Sequence, residues 1–383
     1  MTMTRNVKTR VAVLTNGHEF TVRHREPLLR YLTQKSWDVV GIAPAESPAG
    51  KAFVELGYGT CPVALSRKGT NVFAELGSLL LLVRAIRRVH PDLVINATIK
   101  PVIYGTIAAW WLNIPVLNLI TGLGYAYIGA GARMRLTRSV VSLLYWIAFG
   151  YRKQRVVLQN RDDRRELLHR TGLRRRRSVI VPGSGVDIDR FSPETCSCSA
   201  EKADEIVVLP ARMLYDKGIT TFVECAQYLR DRSLAVRFVL VGPADPGNPA
   251  AVPLSQLRAW NRTGVVEWWG PVADIRTVFR RAAVVVLPSK REGMPKIVIE
   301  AAACGIPVVT TDVPGCRDSV MDGKTGFLVP EGDVRALANR VEVLLHDAAL
   351  RKRMGALARE FAAEKFAAPL VVRQIFEEAS AMI

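Results

Sequence analysis

Short runs of aliphatic and β-branched residues recur along the whole chain, each followed by a stretch of helical pattern. In the first half they are VAVLT, DVVGIA, DLVINA, PVLNLI and RVVLQN; in the second, IVVLPA, RFVLVG, VVEWWG, AVVVLP and PVVTT. Runs that stay apolar position after position fit strands covered on both faces, and their alternation with helices fits a parallel, doubly wound sheet. Helices are expected near Pro27–Gln34, Ala49–Leu56 and Ile103–Leu112, and again from Lys365 onward. Between the two strand series lies Pro182–Glu205, rich in Gly, Ser, Pro and Cys, which reads as a hinge. The expectation is an α/β protein with two Rossmann-like domains, residues 1–190 and 191–365, and a terminal helix over 366–383. A chain of 383 residues, 49% hydrophobic, is long enough to bury two such cores.

Charge is divided unevenly between the halves. Residues 1–200 hold 29 Lys and Arg against 13 Asp and Glu, whereas residues 201–383 hold 24 against 22. That imbalance points to a polyanionic partner for the first half: a membrane surface, a lipid diphosphate or a nucleic acid. Nucleic acid is disfavoured, because the run Arg174–Arg177 has no interleaved aromatics and no nucleic-acid module is recognisable. The N terminus, MTMTRNVKTR, leads straight into a strand without the apolar segment of a secretory signal, so a cytoplasmic setting is expected. The six cysteines (61, 196, 198, 225, 304, 316) are scattered, and Cys196-Ser-Cys198 lacks a zinc or redox spacing, so reduced thiols are expected.

No charge falls between Lys100 and Arg133, yet Pro101, Pro115 and five glycines cut that stretch into a helix, a strand and a glycine-rich loop, which excludes a membrane span. Ser139–Tyr151 (SVVSLLYWIAFGY) is too short to span and suits either a buried core helix or one lying in a membrane interface. In the interfacial reading, Leu144, Tyr145, Trp146 or Phe149 would enter the headgroup boundary, assisted by Arg135, Arg138, Arg152 and the basic run 161–177.

The richest chemistry sits in AVVVLPSKREGMPKIVIE. Glu292 falls in the loop after a strand and Glu300 about two turns into the next helix, which Pro295 can open because its missing N–H is unneeded there. Ligands of open α/β sheets bind outside the strand carboxyl ends. Carboxylates there can hold hydroxyl-rich groups, and the helix start can hold a diphosphate. In ARMLYDKG, Arg212 and Lys217 occupy another such loop, either as solvated cations or as a clamp on a leaving diphosphate.

The Glu-x7-Glu spacing after VLPS, with AAACGIPVVTTDVPG and DGKTGFLVPEGD, resembles glycosyltransferase family 4, most specifically over Ile206–Asp333. The resemblance implies a GT-B fold, two Rossmann-like domains facing a cleft, with the acceptor on the first and a nucleotide-sugar, expected to be a UDP-sugar, on the second. It also implies that the terminal helix crosses back to the first domain. Donor contacts are then expected from Gly17, Arg212, Lys217, Gly242, Val272, Glu292, Gly293, Met294, Lys296, Ile297 and Glu300, with Glu292, Arg212 and Lys217 catalytic. Acceptor contacts are expected from His18, His24, Arg25, Thr121 and Gly122; the two histidines could be acid–base groups or merely structural. Thr121-Gly-Leu-Gly124 stands where many members carry a histidine, and it resembles the subgroup acting on polyprenyl-diphosphate-linked sugars. The resemblance thus implies retaining transfer to a lipid-linked sugar at the inner membrane face, without cofactor or metal, no Asp-x-Asp motif being present beside a strand end. The alternatives are a soluble acceptor or a GDP-sugar donor.

Overall fold

The computed structural model describes residues 8–17, 22–44, 46–63, 72–124, 127, 129, 131–196 and 205–383. The chain divides into two compact units: Met1–Ser184 with Pro369–Ile383, and Gly185–Ala368.

In unit 1 the described elements are β1 (Arg10–Leu14), α1 (Glu26–Gln34), β2 (Asp38–Ala43), α2 (Pro48–Glu55), β3 (Gly59–Pro62), α3 (Val72–Val89) and β4 (Leu93–Ala97). A π-helical turn, Pro101–Gly105, runs into α4 (Thr106–Trp111), and β5 (Val116–Ile120), α5 (Ala132–Phe149), β6 (Gln154–Leu158), α6 (Arg161–Arg170) and β7 (Ser178–Ile180) follow. The strands form one parallel sheet in the order β3-β2-β1-β4-β5-β6-β7.

Unit 2 contains α7 (Pro193–Cys196), β8 (Ile206–Pro210), α8 (Ile219–Asp231), β9 (Arg237–Val241), α9 (Leu254–Arg262), β10 (Glu267–Trp268), α10 (Arg276–Phe279) and β11 (Ala282–Leu287). It continues with α11 (Lys296–Ala303), β12 (Val308–Thr311), β13 (Gly326–Val329), α12 (Val334–His346) and α13 (Ala348–Phe366). Its parallel sheet runs β10-β9-β8-β11-β12-β13. The last helix, α14 (Ala368–Ser380), packs Val371, Val372, Ile375 and Ala379 into the core of unit 1 with β1, α1 and α2.

Full burial of the central strands explains their sequence. Val116–Ile120 and Ile206–Pro210 are buried at every position, so neither could alternate apolar with polar. Three strands were not expected: β3 and β13 are four residues long and β7 three, with Gly and Pro in β3 and Arg174–Arg177 just ahead of β7. Runs that short carry little periodicity, and pairing with a neighbour decides them.

The interior of unit 1 contains a ladder of amides. Asn96 Nδ2 donates to Asn118 Oδ1 at 2.9 Å, Thr106 Oγ1 donates to the same oxygen at 3.0 Å, and Asn118 Nδ2 donates to Gln154 Oε1 at 3.0 Å. Gln154 Nε2 finishes on the carbonyls of Ala148 and Tyr151, and all four polar side chains are buried.

Three expectations are corrected. Helix α5 begins earlier than Ser139, and its Tyr145 and Phe149 are buried with β5 and β6, so neither can enter a headgroup layer; Trp146 is exposed. Glu300 lies one turn into α11, which starts at Lys296 with Pro295 as its N-cap. Cys61, Cys225 and Cys316 are buried free thiols, but Cys304 is disulfide-bonded.

Candidate active site

The order of strands in unit 2 reverses between β8 and β11. From β8 the chain winds outward through β9 and β10, then returns to β11 on the other side of β8. Loops leave neighbouring strands in opposite directions at such a point, and the crevice at the carboxyl ends is where open α/β sheets take ligands.

The two loops at this reversal are fastened to each other. Lys290 N donates to the Asp216 carbonyl at 2.9 Å, and the buried Ser289 Oγ lies 3.1 Å from the same oxygen. Gly218 allows the approach: its φ is +74°, and a Cβ there would stand 2.0 Å from the Pro288 carbonyl oxygen. The loop after β12 closes from the other side. Glu292 N donates to the Pro314 carbonyl at 3.0 Å, and Gly315, at φ +80°, would place a Cβ 2.3 Å from the Glu292 carbonyl. Thr310 Oγ1 donates to the Leu287 carbonyl at 2.6 Å, and Thr311 Oγ1 to that of Ser289.

Within this frame Lys217 Nζ donates to Glu292 Oε1 at 2.6 Å, with Asp216 Oδ2 3.9 Å away. Each side chain of the Lys217–Glu292 pair is only 16% exposed. Burial works against the Lys217 charge, but the charge and hydrogen bond of Glu292, with Asp216 behind them, prevail and raise its pKa. The lysine is therefore a fixed cation rather than a proton donor at neutral pH. Ser289 Oγ lies 2.7 Å from the same Glu292 oxygen, so Glu292 is held by a cation and a hydroxyl together. Asp216 Oδ1 is buried without a hydrogen-bond partner.

Lys217 and Glu292, 75 residues apart, are thus brought into direct contact. Arg212 stands farther out: it is exposed, and its Nη1 bonds Asp245 Oδ2 at 3.0 Å in the loop after β9. Its charge still acts on Lys217, opposing the glutamate. Glu300 pairs within its own helix with Lys296, 3.6 Å away, and burial raises its carboxyl pKa against the pull of Lys296 and Arg190. No side chain caps the start of α11, which leaves donors for an anion there. Gly242 follows β9 and its N–H donates to the Gly270 carbonyl at 2.8 Å. Met294 is buried in the core of unit 2, with Val272 and Ile297 packed against that core, and Gly293 is buried just before the helix. Sequence reasoning missed Ser289, Asp216 and Gly315, although each lies inside a phrase singled out for its neighbours.

In unit 1 the reversal falls between β1 and β4. Gly17 follows β1 at φ +89°, and its carbonyl accepts the Ala49 N–H of α2 at 3.2 Å. His18 lies outside the described residues, and His24 is half-buried just before α1. Arg25 is the N-cap of α1 and is buried. Burial alone lowers its pKa to about 10, with no carboxylate contributing. Thr121 and Gly122 follow β5, two strands away from β1 on the same carboxyl edge.

Comparison with known proteins bears on both units. The family described as Glycosyltransferase Family 4 matches residues 21–190, and the one described as Glycosyl transferases group 1 matches residues 204–347. The N,N'-diacetylbacillosaminyl-diphospho-undecaprenol α-1,3-N-acetylgalactosaminyltransferase of Campylobacter jejuni is 28% identical over 354 residues, covering 89% of this chain and 91% of that protein. The capsular polysaccharide biosynthesis glycosyltransferase CapM of Staphylococcus aureus is 25% identical, covering 94% of each. Among solved structures, Anabaena HepE in complex with UDP and glucose superposes with a TM-score of 0.78 at 20% identity, covering 97% of this chain and 99% of that one.

Proposed function

The chain belongs to glycosyltransferase family 4, and on that premise we propose that it transfers a sugar, with retention of configuration, from a UDP-sugar to a polyprenyl-diphosphate-linked sugar. The observation that carries this reading is the buried Lys217–Glu292 pair at the strand-order reversal of unit 2. The end-to-end likeness to the Campylobacter enzyme supports the lipid-linked acceptor. The UDP complex of a fold relative prompts the choice of nucleotide.

In this reading the donor diphosphate lies against Lys217 and the start of α11, with Arg212 swinging from Asp245 to reach it. Glu292 accepts hydrogen bonds from the transferred sugar while its other contacts hold it still, and Glu300 accepts from the nucleotide ribose. The anomeric C–O bond breaks as charge grows on the diphosphate, and fixed cations lower that barrier. The acceptor hydroxyl oxygen bonds to the anomeric carbon from the same face, and its proton passes to the departing phosphate oxygen, leaving UDP. The two cations supply the neutralisation a metal would otherwise give, so turnover is expected to persist in EDTA.

The test is direct. Purified protein is offered UDP- and GDP-sugars with short-chain polyprenyl-diphosphate sugars, and products are read by mass spectrometry and anomeric NMR. An α-linked product from a UDP-α-sugar on the lipid acceptor supports the reading; transfer only to a soluble sugar phosphate overturns it.

A further inference from the structure

Unit 1 carries a surface that the transfer chemistry leaves unused. Helix α5 presents Leu136, Val140, Leu143, Trp146 and Ile147 to solvent at spacings of three and four residues, so they line one face. Leu136 is 67% and Trp146 59% exposed, and the helix contains no acidic residue. At its C-terminal end the stripe broadens. A Cβ at Gly150 would stand 3.6 Å from the Trp110 ring, and the neighbouring Trp111 is 57% exposed. A Cβ at Gly172 would stand 3.0 Å from Trp146 Cδ1, which brings the segment leading to Arg174–Arg177 alongside the indole.

Beside this stripe, cations outnumber the carboxylates that could pair with them. On α6, Arg165 is balanced by Asp162 and Arg170 by Glu166. Among the described residues, no carboxylate lies within ion-pair distance of Arg152, Arg174, Arg176 or Arg177. Burial, and then the like charges of Arg174, Arg176 and Arg152, lower the Arg177 pKa, so the four arginines repel within one cluster. Arg177 is half-buried with its Nη1 donating to the Tyr151 carbonyl at 3.1 Å, and Arg138 is engaged with the Gly129 carbonyl and the Tyr127 ring, so the cations that face solvent are Arg152, Arg174 and Arg176. Cations gathered without counter-ions call for an external anion. Protein interfaces deplete charge at the core and mix polar groups around the rim. Here an apolar stripe is joined by tryptophans and flanked by arginines, the three side-chain types that meet acyl chains, the headgroup boundary and lipid phosphates when a helix lies flat on a membrane.

We propose that this face docks on an anionic phospholipid bilayer, with α5 lying in the interface plane and Arg152, Arg174 and Arg176 engaging lipid phosphates. It rests on the reading of the acceptor as lipid-linked. No helix among the described residues is long and apolar enough to cross a membrane, so the attachment is superficial and reversible.

Sedimentation with phosphatidylglycerol/phosphatidylcholine vesicles tests it. Wild-type protein should pellet at low salt and lose affinity, without losing it all, as salt rises. Arg174→Ala with Arg176→Ala should weaken binding about 25-fold, from about fivefold per cation near an anionic surface. Trp146→Ser should weaken the salt-resistant part on the order of tenfold. All these side chains are solvent-exposed, so each variant should melt with the wild type and keep its rate on a water-soluble short-chain acceptor. Three outcomes overturn the proposal: wild type remaining in the supernatant, variants pelleting like wild type, or self-association that Trp146→Ser abolishes without any vesicle binding. Vesicle binding without transfer to lipid-linked sugars would instead overturn the acceptor assignment, and transfer in detergent without vesicle binding would overturn the docking alone.

Discussion

The two units share an architecture and handle charge in opposite ways. Both are parallel sheets whose strand order reverses beside the first strand of the unit. At the carboxyl edge of unit 2, Lys217 has Glu292, Arg212 has Asp245 and Lys296 has Glu300. In unit 1, Arg25 is buried with no carboxylate acting on it, and the cluster around Arg174 has no counter-ion among the described residues. A cation that carries its own counter-ion is held in place before substrate arrives, ready to face charge that develops during reaction. A cation without one is a standing cost to the fold that an anionic ligand relieves. Glu292 and Lys217 therefore serve the fold as well as the site, because each is the other's compensation.

The largest effect should come from splitting that pair. Lys217→Ala or Glu292→Ala should reduce kcat/KM on the order of a hundredfold or more. Each should also lower stability by about 3 kcal/mol, since the remaining charge stays buried without its partner. Denaturant melts would break the comparison if both variants were as stable as wild type. Arg25→Met should behave the other way. Acceptor KM should rise about tenfold through loss of a charge-assisted contact, while the melting temperature stays level or rises. A melt several degrees lower would show that Arg25 serves the fold.

Two smaller effects sharpen the picture. Ser289→Ala removes one hydroxyl from Glu292 and should cost about 1 kcal/mol, read as a severalfold fall in kcat with donor KM nearly unchanged. A change confined to KM would mean that the serine acts on binding. Glu300 gives a pH dependence. Burial raises its folded pKa above the ordinary value, so the folded state binds that proton more tightly than the unfolded one. Its contribution to stability is fully present below the unfolded carboxyl pKa and is lost as pH rises through the folded value. Glu300→Gln should flatten that part of the stability–pH curve by less than about 1.4 kcal/mol per unit, and an unaltered slope would remove Glu300 from the account.

The five- and six-residue strands were legible in the sequence because burial on both faces leaves most of their positions to aliphatic side chains. The short strands β3, β7 and β13 were not, because a run of three or four residues is settled by its neighbours. Within the site, Lys217 and Glu292 were visible as residue types in suggestive loops. Their contact was not, because it depends on β8 and β11 lying side by side. The role of Ser289 needs that same adjacency. The buried and exposed faces of α5 were confused for a related reason: its pattern is apolar on both sides, and only packing shows which side meets the core.

The amide ladder of unit 1 has a bearing on how the sheet assembles. Asn96 stands opposite Asn118 across β4 and β5, and Gln154 is reached from β6. Hydrophobic side chains alone would tolerate several alignments of these strands, since one valine replaces another at little loss. A slip by a single residue would send each amide to the opposite face and strand it in hydrocarbon, at about 1–3 kcal/mol for each orphaned group. The row thus works as a proofreading key. Misaligned intermediates are penalised more heavily than their greasy surroundings could enforce, and the alignment that survives is the one that places the loops of β1, β4 and β5 at their observed heights along the edge.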